Sequence, residues 1–202
     1  MDVDTPLGPA RVLAAEPPGT VVGTLVLGHG AGGGAEAPDL VAIADEAPSA
    51  GWRVLRVEQP WRVAGKRIAP APARLDVAWT AVLHSLRDDD RLTGPLVLGG
   101  RSAGARVACR TATALGAAAV LALAFPLHPP GRPEKSRADE LTGAGVPVLV
   151  VQGETDAFGR PADIAAVLDG RPDASVYAVP GDHSLKQKPA IVAAAVLHWL
   201  AS

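Results

Sequence analysis

The chain has 202 residues, is 48% hydrophobic but only 3% aromatic, and carries a formal net charge of −2 at pH 7. This length predicts one domain, residues 1–202, with a core built from Ala, Val and Leu. The charge argues against a nucleic-acid partner, because neutralising phosphates requires a dominantly basic surface, and the single Cys109 excludes an internal disulfide and a Cys-based zinc cluster.

The N-terminal segment carries acidic residues first and has no apolar core, so we expect no secretory signal there. Further along, no run approaches the ~20 unbroken apolar residues that a membrane span needs. We therefore expect a cytoplasmic protein with no membrane partner. Within the N-terminal segment, the run ARVLAAE (10–16) could add an antiparallel strand at the edge of a sheet.

Six short apolar runs predict strands: GTLVLGHG (23–30), WRVLRVEQ (52–59), GPLVLGG (94–100), AAVLALAFP (118–126), VPVLVVQG (146–153) and ASVYAVPG (174–181). Most are continuous rather than alternating, which is typical of strands buried on both faces of a parallel sheet. Helical patterns lie between them, at 39–50, 75–87, 103–115, 162–168 and 189–200. This alternation predicts an α/β fold with a doubly wound, mostly parallel sheet and helices on both faces.

Two irregular segments, 59–74 and 126–145, are rich in proline, glycine and cationic residues. Each follows the carboxyl end of a predicted strand, which is the edge where open α/β sheets hold their sites. Neither segment is long enough to fold as a lid domain, so we expect a minimal fold without one.

A G-x-S-x-G motif runs from Gly100 to Gly104 and places Ser102 directly after a predicted strand. Ser102 could simply cap the helix that follows, since serine is a preferred N-cap residue. The same motif is typical of a nucleophile elbow, in which the glycines allow a sharp turn and leave the serine oxygen exposed. The rest of the sequence decides between these interpretations.

A serine nucleophile needs a histidine base and an acid that orients the base. His183 follows a predicted strand in a glycine-flanked loop, whereas His198 lies inside the apolar terminal helix. The acid candidates after the preceding strand are Glu154 and Asp156, and we select Asp156 because it lies further into its loop. Alone, Asp156 could cap a helix and His183 could be an ordinary loop residue. Together, in the order serine, acid, histidine, they favour a catalytic Ser102.

Backbone donors for a developing oxyanion are also predicted. One is the N–H of Ala103, directly after the nucleophile. The second comes from the glycine-rich loop GHGAGGG (28–34), where we select Ala31, with Gly32 as its neighbour. His29 in this loop precedes the nucleophile in the chain, so we expect it to hold the loop rather than act as the base.

The same loop has a competing interpretation as a dinucleotide site. Gly28, Gly30 and Gly33 match G-x-G-x-x-G after a strand, and Glu58 ends the next strand where a ribose-binding acid belongs. However, a histidine between the first two glycines hinders the approach of a pyrophosphate, and this interpretation leaves the serine, the acid and the histidine unexplained. Neither glycine run ends in Gly-Lys-Ser/Thr, which excludes a Walker A loop.

Cationic residues suggest where a substrate could be contacted. We select Arg62, Arg101 and His128, and further cations follow in the two irregular segments: Lys66, Arg67, Arg132 and Lys135. Fixed charges of one sign around a cleft attract substrates of the opposite sign. Alternatively, these cations pair with nearby acidic residues and only keep the loops solvated.

The segments GHGAGGG, QPWRVAGKR, GGRSAGARVA, FPLHPPGRPEK, VLVVQGETDAFG and PGDHSLK resemble the small α/β-hydrolase-like proteins of the dienelactone-hydrolase type. Within that type, the chain is most similar to the group that includes animal testis-expressed and NSL-complex subunit proteins and many bacterial members. The segments span residues 28–186, so the resemblance covers nearly the whole chain. It implies an α/β-hydrolase fold with Ser102 as nucleophile, Asp156 as acid and His183 as base. Dienelactone hydrolases often carry a cysteine nucleophile, and serine here points to ester rather than lactone chemistry.

These observations predict a serine hydrolase that acts on a small-molecule carboxylic ester or thioester, with no metal and no organic cofactor implied. An alternative is a catalytically silent protein in which the hydrolase fold serves for binding, because related members occur in assemblies. The dinucleotide-binding oxidoreductase is a weaker third possibility.

Overall fold

Eight strands form a single sheet in the computed structural model, which describes residues 1–202. They are β1 (Asp2–Val3), β2 (Ala10–Ala15), β3 (Gly23–Gly28), β4 (Trp52–Glu58), β5 (Leu96–Arg101), β6 (Ala119–Leu123), β7 (Val148–Gly153) and β8 (Ala174–Val179). Their spatial order is β1-β2-β4-β3-β5-β6-β7-β8. β2 runs antiparallel to β1 and β4, and the pairs from β4 to β8 are all parallel.

Seven α-helices connect or follow the strands: α1 (Pro38–Glu46), α2 (Pro60–Val63), α3 (Pro72–Asp88), α4 (Ala103–Thr111), α5 (Ala138–Thr142), α6 (Pro161–Val167) and α7 (Pro189–Leu200). Five of them begin with a proline. Proline suits a first helical position, because its fixed φ is already helical and its missing N–H would have no partner there. The prolines therefore mark where these helices begin.

The sheet is covered on both faces, which explains its continuous apolar strands. Every residue of β3 and β7 is buried. One apolar cluster of 31 buried residues joins the sheet to α3, α4, α5 and α6, and a second of 21 residues joins it to α1 and α7. Two separate cores of this kind are expected when helices pack on both sides of one parallel sheet.

The predicted fold class is confirmed, with corrections at the ends of elements. The run 10–16 does form an antiparallel strand, but β1 pairs with its outer edge. The first long helix ends at Glu46 and continues as a short 3₁₀ turn, Ala47–Ala50, because Pro48 cannot continue an α-helix. α4 ends at Thr111 rather than at 115. Both irregular segments contain a short α-helix, α2 and α5, that the sequence pattern was too brief to predict.

The loops after β3, β4, β5, β6, β7 and β8 meet at one edge of the sheet, because carboxyl ends of parallel strands lie side by side. This edge holds Ser102, Asp156 and His183. None of the helices combines the length and apolar character that a membrane span requires.

Candidate active site

Ser102 sits on a strained turn between β5 and α4. Its backbone has φ 54° and ψ −108°, a conformation that costs a residue with a side chain on the order of 1–3 kcal/mol. A Cβ atom on either Gly100 or Gly104 would overlap the backbone of Gly28 on the neighbouring strand. The two glycines of the motif therefore let β5 and α4 approach β3 closely enough for the turn to form, as in a nucleophile elbow.

A chain of hydrogen bonds links Ser102 to His183 and Asp156. Ser102 Oγ lies 2.9 Å from Nε2 of His183, and Nδ1 of His183 lies 2.8 Å from Oδ2 of Asp156. Because a carboxylate only accepts hydrogen bonds, Nδ1 donates its proton to Asp156, and Nε2 is left to accept from the serine hydroxyl. Glu154, the other acid considered, is exposed and its side chain forms no hydrogen bond.

Asp156 is held in place by two donors in addition to the histidine. Nε2 of Gln152 donates to Oδ2 over 2.9 Å, and the backbone N–H of Phe158 donates to Oδ1 over 2.8 Å. Gln152 is fully buried, and its amide also bonds the backbone of Phe125 and Gly159. The Gln152 amide is thus held by backbone groups, and the other donor to Asp156 is itself a backbone N–H. The carboxylate therefore has little freedom to turn away from the imidazole.

His183 is positioned by packing as well as by hydrogen bonds. The ring of Phe158 stacks on its imidazole with 4.1 Å between the ring centroids. The loops that carry the acid and the base are tied together, because the backbone N–H and the hydroxyl of Thr155 both donate to the carbonyl of Gly181. The acid and the histidine therefore belong to one connected unit.

His29 anchors the glycine-rich loop, as the sequence predicted. Its Nε2 accepts from the backbone N–H of Gln59, so Nδ1 carries the proton and donates to the carbonyl of Gly30 over 2.9 Å. Burial lowers the pKa of His29, which favours this neutral form. The imidazole thus fastens the loop after β3 to the end of β4.

A cleft of about 340 Å³ opens beside Ser102 and His183. Ala31 and Ala103, the predicted oxyanion donors, both line it, and Ala103 is the first residue of α4, where the N–H has no partner within the helix. Arg101 also lines the cleft, whereas Arg62 and His128 do not. These two residues were selected only because they lie in the irregular segments. The side chain of His128 instead bonds the carbonyl of the neighbouring Pro129.

A family model described as alpha/beta hydrolase domain matches residues 22–193. The chain belongs to this family. The competing dinucleotide interpretation is therefore wrong, and in this alpha/beta hydrolase Gly28 instead allows the close contact with the helix after the serine. A comparison of the sequence with curated proteins gave no significant match.

Solved structures share the fold over their whole length. A serine hydrolase homologue from Coxiella burnetii superposes with a TM-score of 0.82 at 16% identity, covering 99% of this chain and 96% of that one. A serine hydrolase without a lid from Xanthomonas campestris gives 0.78 at 22% identity, covering 100% and 92%. Est1E from Butyrivibrio proteoclasticus, solved with ferulic acid, gives 0.82 at 18% identity, covering 100% and 98%. Like the Xanthomonas campestris protein, this alpha/beta hydrolase has no lid over its serine.

A buried ion pair that sequence reasoning missed lies beneath the elbow of this hydrolase. Asp39, in the first turn of α1, is fully buried, and its Oδ2 lies 3.7 Å from Nε of Arg101, the residue before Ser102. Neither carboxylate oxygen of Asp39 accepts a hydrogen bond. Burial raises the pKa of Asp39 to about 6, against the opposing effect of the Arg101 charge.

Other residues around the site were also not predicted from the sequence: Gln152, Phe158, Arg106 and Arg137. Position was the available signal, because Gln152 is the second-last residue of a buried strand and Arg106 lies about one helical turn after the serine. No group of three or more His, Cys, Asp or Glu side chains is placed to share a metal ion.

Proposed function

We propose that the protein is a serine hydrolase that cleaves carboxylic esters or thioesters. The observation that carries this proposal is the hydrogen-bonded chain from Ser102 through His183 to Asp156 at a strained elbow. A serine held at hydrogen-bond distance from an acid-oriented imidazole can be deprotonated as it attacks a carbonyl carbon. The family and the fold of the neighbours are consistent with this chemistry.

In the proposed reaction, Ser102 Oγ forms a bond to the acyl carbon while its proton passes to Nε2 of His183. The backbone N–H groups of Ala31 and Ala103 donate to the oxyanion of the tetrahedral intermediate. His183 then returns the proton to the leaving alcohol or thiol, and the acyl group stays on Ser102. A water molecule, deprotonated by His183, attacks the acyl-enzyme, and the acid is released.

The narrower assignments rest on the sequence motifs. We propose that the chain falls with the dienelactone-hydrolase type, in the group with animal testis-expressed and NSL-complex subunit proteins. We also propose a cytoplasmic location and a small-molecule substrate, with no metal or organic cofactor in the reaction.

Labelling with a fluorophosphonate probe tests the reaction class. We expect the wild-type protein to be labelled and to hydrolyse p-nitrophenyl acetate. We expect Ser102→Ala to lose the labelling and to reduce kcat/KM by about 10⁴-fold or more, as when a serine nucleophile is removed elsewhere. Absence of both labelling and hydrolysis in the folded wild type would overturn the proposal and favour a catalytically silent binding protein.

A further inference from the structure

The cleft beside Ser102 is lined by three arginines, and no aspartate or glutamate lines it. Arg101 comes from the end of β5, Arg106 from the first turns of α4, and Arg137 from the residue before α5. Three separate segments thus bring guanidinium groups to the same opening. The arrangement concentrates positive charge where the acyl or leaving group of a substrate must lie.

Two of these arginines, Arg106 and Arg101, have carboxylate neighbours that do not themselves line the cleft. Arg106 donates to both carboxylate oxygens of Glu140, with distances of 2.8 and 2.5 Å. Glu140 is shared with Arg110, which also pairs with Asp76, so two acids face two arginines in this network. The network has no carboxylate left over for the cleft.

The positive charge of Arg101 is only weakly balanced by its carboxylate neighbour. Its carboxylate neighbour, Asp39, lies 3.7 Å away, and Nε of Arg101 is buried without a hydrogen-bond partner. Since Asp39 has a pKa raised to about 6 by burial, its negative charge is reduced further below neutral pH.

Arg137 has no carboxylate partner. Its NH1 donates to the backbone carbonyl of Pro126 over 2.8 Å, and no acidic oxygen lies within ion-pair distance. Burial and the nearby Arg106 lower the pKa of this guanidinium, and the smaller opposing effect of Glu140 does not cancel them. The carbonyl of Pro126 accepts from NH1 only, and the other N–H donors of the planar Arg137 guanidinium remain available to a ligand.

We propose that this cleft binds a carboxylate on the substrate, so that the preferred substrates are esters or thioesters whose acyl chain carries a second, anionic end. The inference rests on the proposed function and names its substrate class. Arg137 is the principal contact, because a planar guanidinium can hold a carboxylate through two parallel hydrogen bonds. Arg101 and Arg106 add positive potential at the same opening.

The test compares p-nitrophenyl hemiadipate with p-nitrophenyl hexanoate, whose acyl chains have the same length but differ in the terminal carboxylate. Adipate is chosen because shorter diacid monoesters close readily to cyclic anhydrides without an enzyme. We expect kcat/KM for the anionic ester to exceed that for the neutral ester by about 10-fold or more at low salt. The ratio should shrink as added salt screens the exposed charges.

Three variants assign the effect to the cleft. Arg137→Gln should reduce the ratio of the two kcat/KM values by about 10-fold, because a charge-assisted contact is lost. Arg137→Lys should restore part of the ratio, because lysine keeps the positive charge but lacks the planar pair of N–H donors that a guanidinium offers to a carboxylate. Arg74→Gln, which removes an exposed cation that does not line the cleft, should leave the ratio and both rates unchanged.

A binding measurement separates this proposal from the proposed reaction. Monomethyl adipate is titrated into the Ser102→Ala protein by calorimetry, and methyl hexanoate is the neutral control. Tighter binding of the anion, weakened about 10-fold by adding Arg137→Gln, supports the carboxylate site whether or not the wild type turns over. Equal kcat/KM for the two esters, or equal binding of the two ligands, overturns it. Failure of the wild type to hydrolyse either ester overturns the proposed function instead.

Discussion

Asp156 and Glu154 lie in one loop after β7, yet the aspartate alone reaches the imidazole of His183. The difference comes from position along the turn. Asp156 points inward, where Gln152 and a backbone N–H hold it, whereas Glu154 points into solvent. Two acids of the same charge thus have different hydrogen-bond partners because the backbone places them differently.

We expect Asp156→Asn to lower kcat of ester hydrolysis by several orders of magnitude, on the order of 10⁴-fold. An amide can donate to Nδ1 and stabilise the tautomer whose Nε2 carries a proton, and that tautomer cannot accept from Ser102. Steady-state kinetics on p-nitrophenyl acetate measure the loss. Glu154→Gln is the matched control, because it makes the same chemical change two positions away, and its kcat should stay close to the wild type. The reverse order of effects would show that Glu154 orients the histidine.

The candidate catalytic residues could be predicted because each lies within four residues of the carboxyl end of a strand. Side chains that do not have this position were harder to predict. Arg62 and His128 were selected from cationic or irregular segments, but they do not line the cleft, whereas Arg106 and Arg137 do. The direction of a side chain from an irregular loop depends on the path of that loop, and sequence spacing does not determine that path.

At the scale of elements, the site depends on the contact between β3 and α4. The helix begins directly after Ser102, and its Gly104 lies against the backbone of Gly28. The same glycine spacing that suggested a phosphate-binding loop is thus explained by packing. Both glycine motifs are visible in the sequence, but their contact depends on how α4 packs against β3.

Replacing Gly104 with alanine tests this contact. The added Cβ would overlap the carbonyl oxygen of Gly28, which is backbone and cannot rotate away. We expect the variant to lose at least about 1–3 kcal/mol of unfolding free energy in urea, and to lose activity as the serine is displaced. Gly19→Ala is the control, since a Cβ there meets nothing within 4 Å, and it should stay within about 0.5 kcal/mol of the wild type. A Gly104→Ala protein as stable as the control would show that the contact is not tight.

At the scale of the whole molecule, the alternation of apolar runs and helical patterns was sufficient to predict the fold. The strands with continuous apolar runs are those in the middle of the parallel sheet, where both faces are covered. The pattern was less informative for β1 and for the short helices α2 and α5, because a few residues cannot show a period. The hydrophobic pattern also did not predict the burial of a charged residue such as Asp39, because that burial results from how α1 packs on the sheet.

The buried Asp39 makes the stability of the molecule depend on pH. Its pKa is about 6 in the folded protein, compared with 3.8 for an exposed aspartate. Between these values the folded state binds a proton that the unfolded chain has released, so stability falls as pH rises from 4 through 6. Above that range the carboxylate is ionised in both states, and the cost of burying it is fully present.

We therefore expect Asp39→Asn to gain stability relative to the wild type as pH rises from 4 to 7. The gain should be about 2–3 kcal/mol, because each pKa unit corresponds to about 1.4 kcal/mol. The attraction between Arg101 and the ionised Asp39 needs no separate allowance, because it already opposes burial in setting the pKa of about 6. Urea unfolding at pH 4, 5, 6 and 7 measures the difference between the two proteins. Asp45→Asn, an exposed change on the same helix, should show no such trend. If the difference between Asp39→Asn and the wild type stays constant across the series, Asp39 does not titrate in this range, and the cost assigned to its burial is wrong.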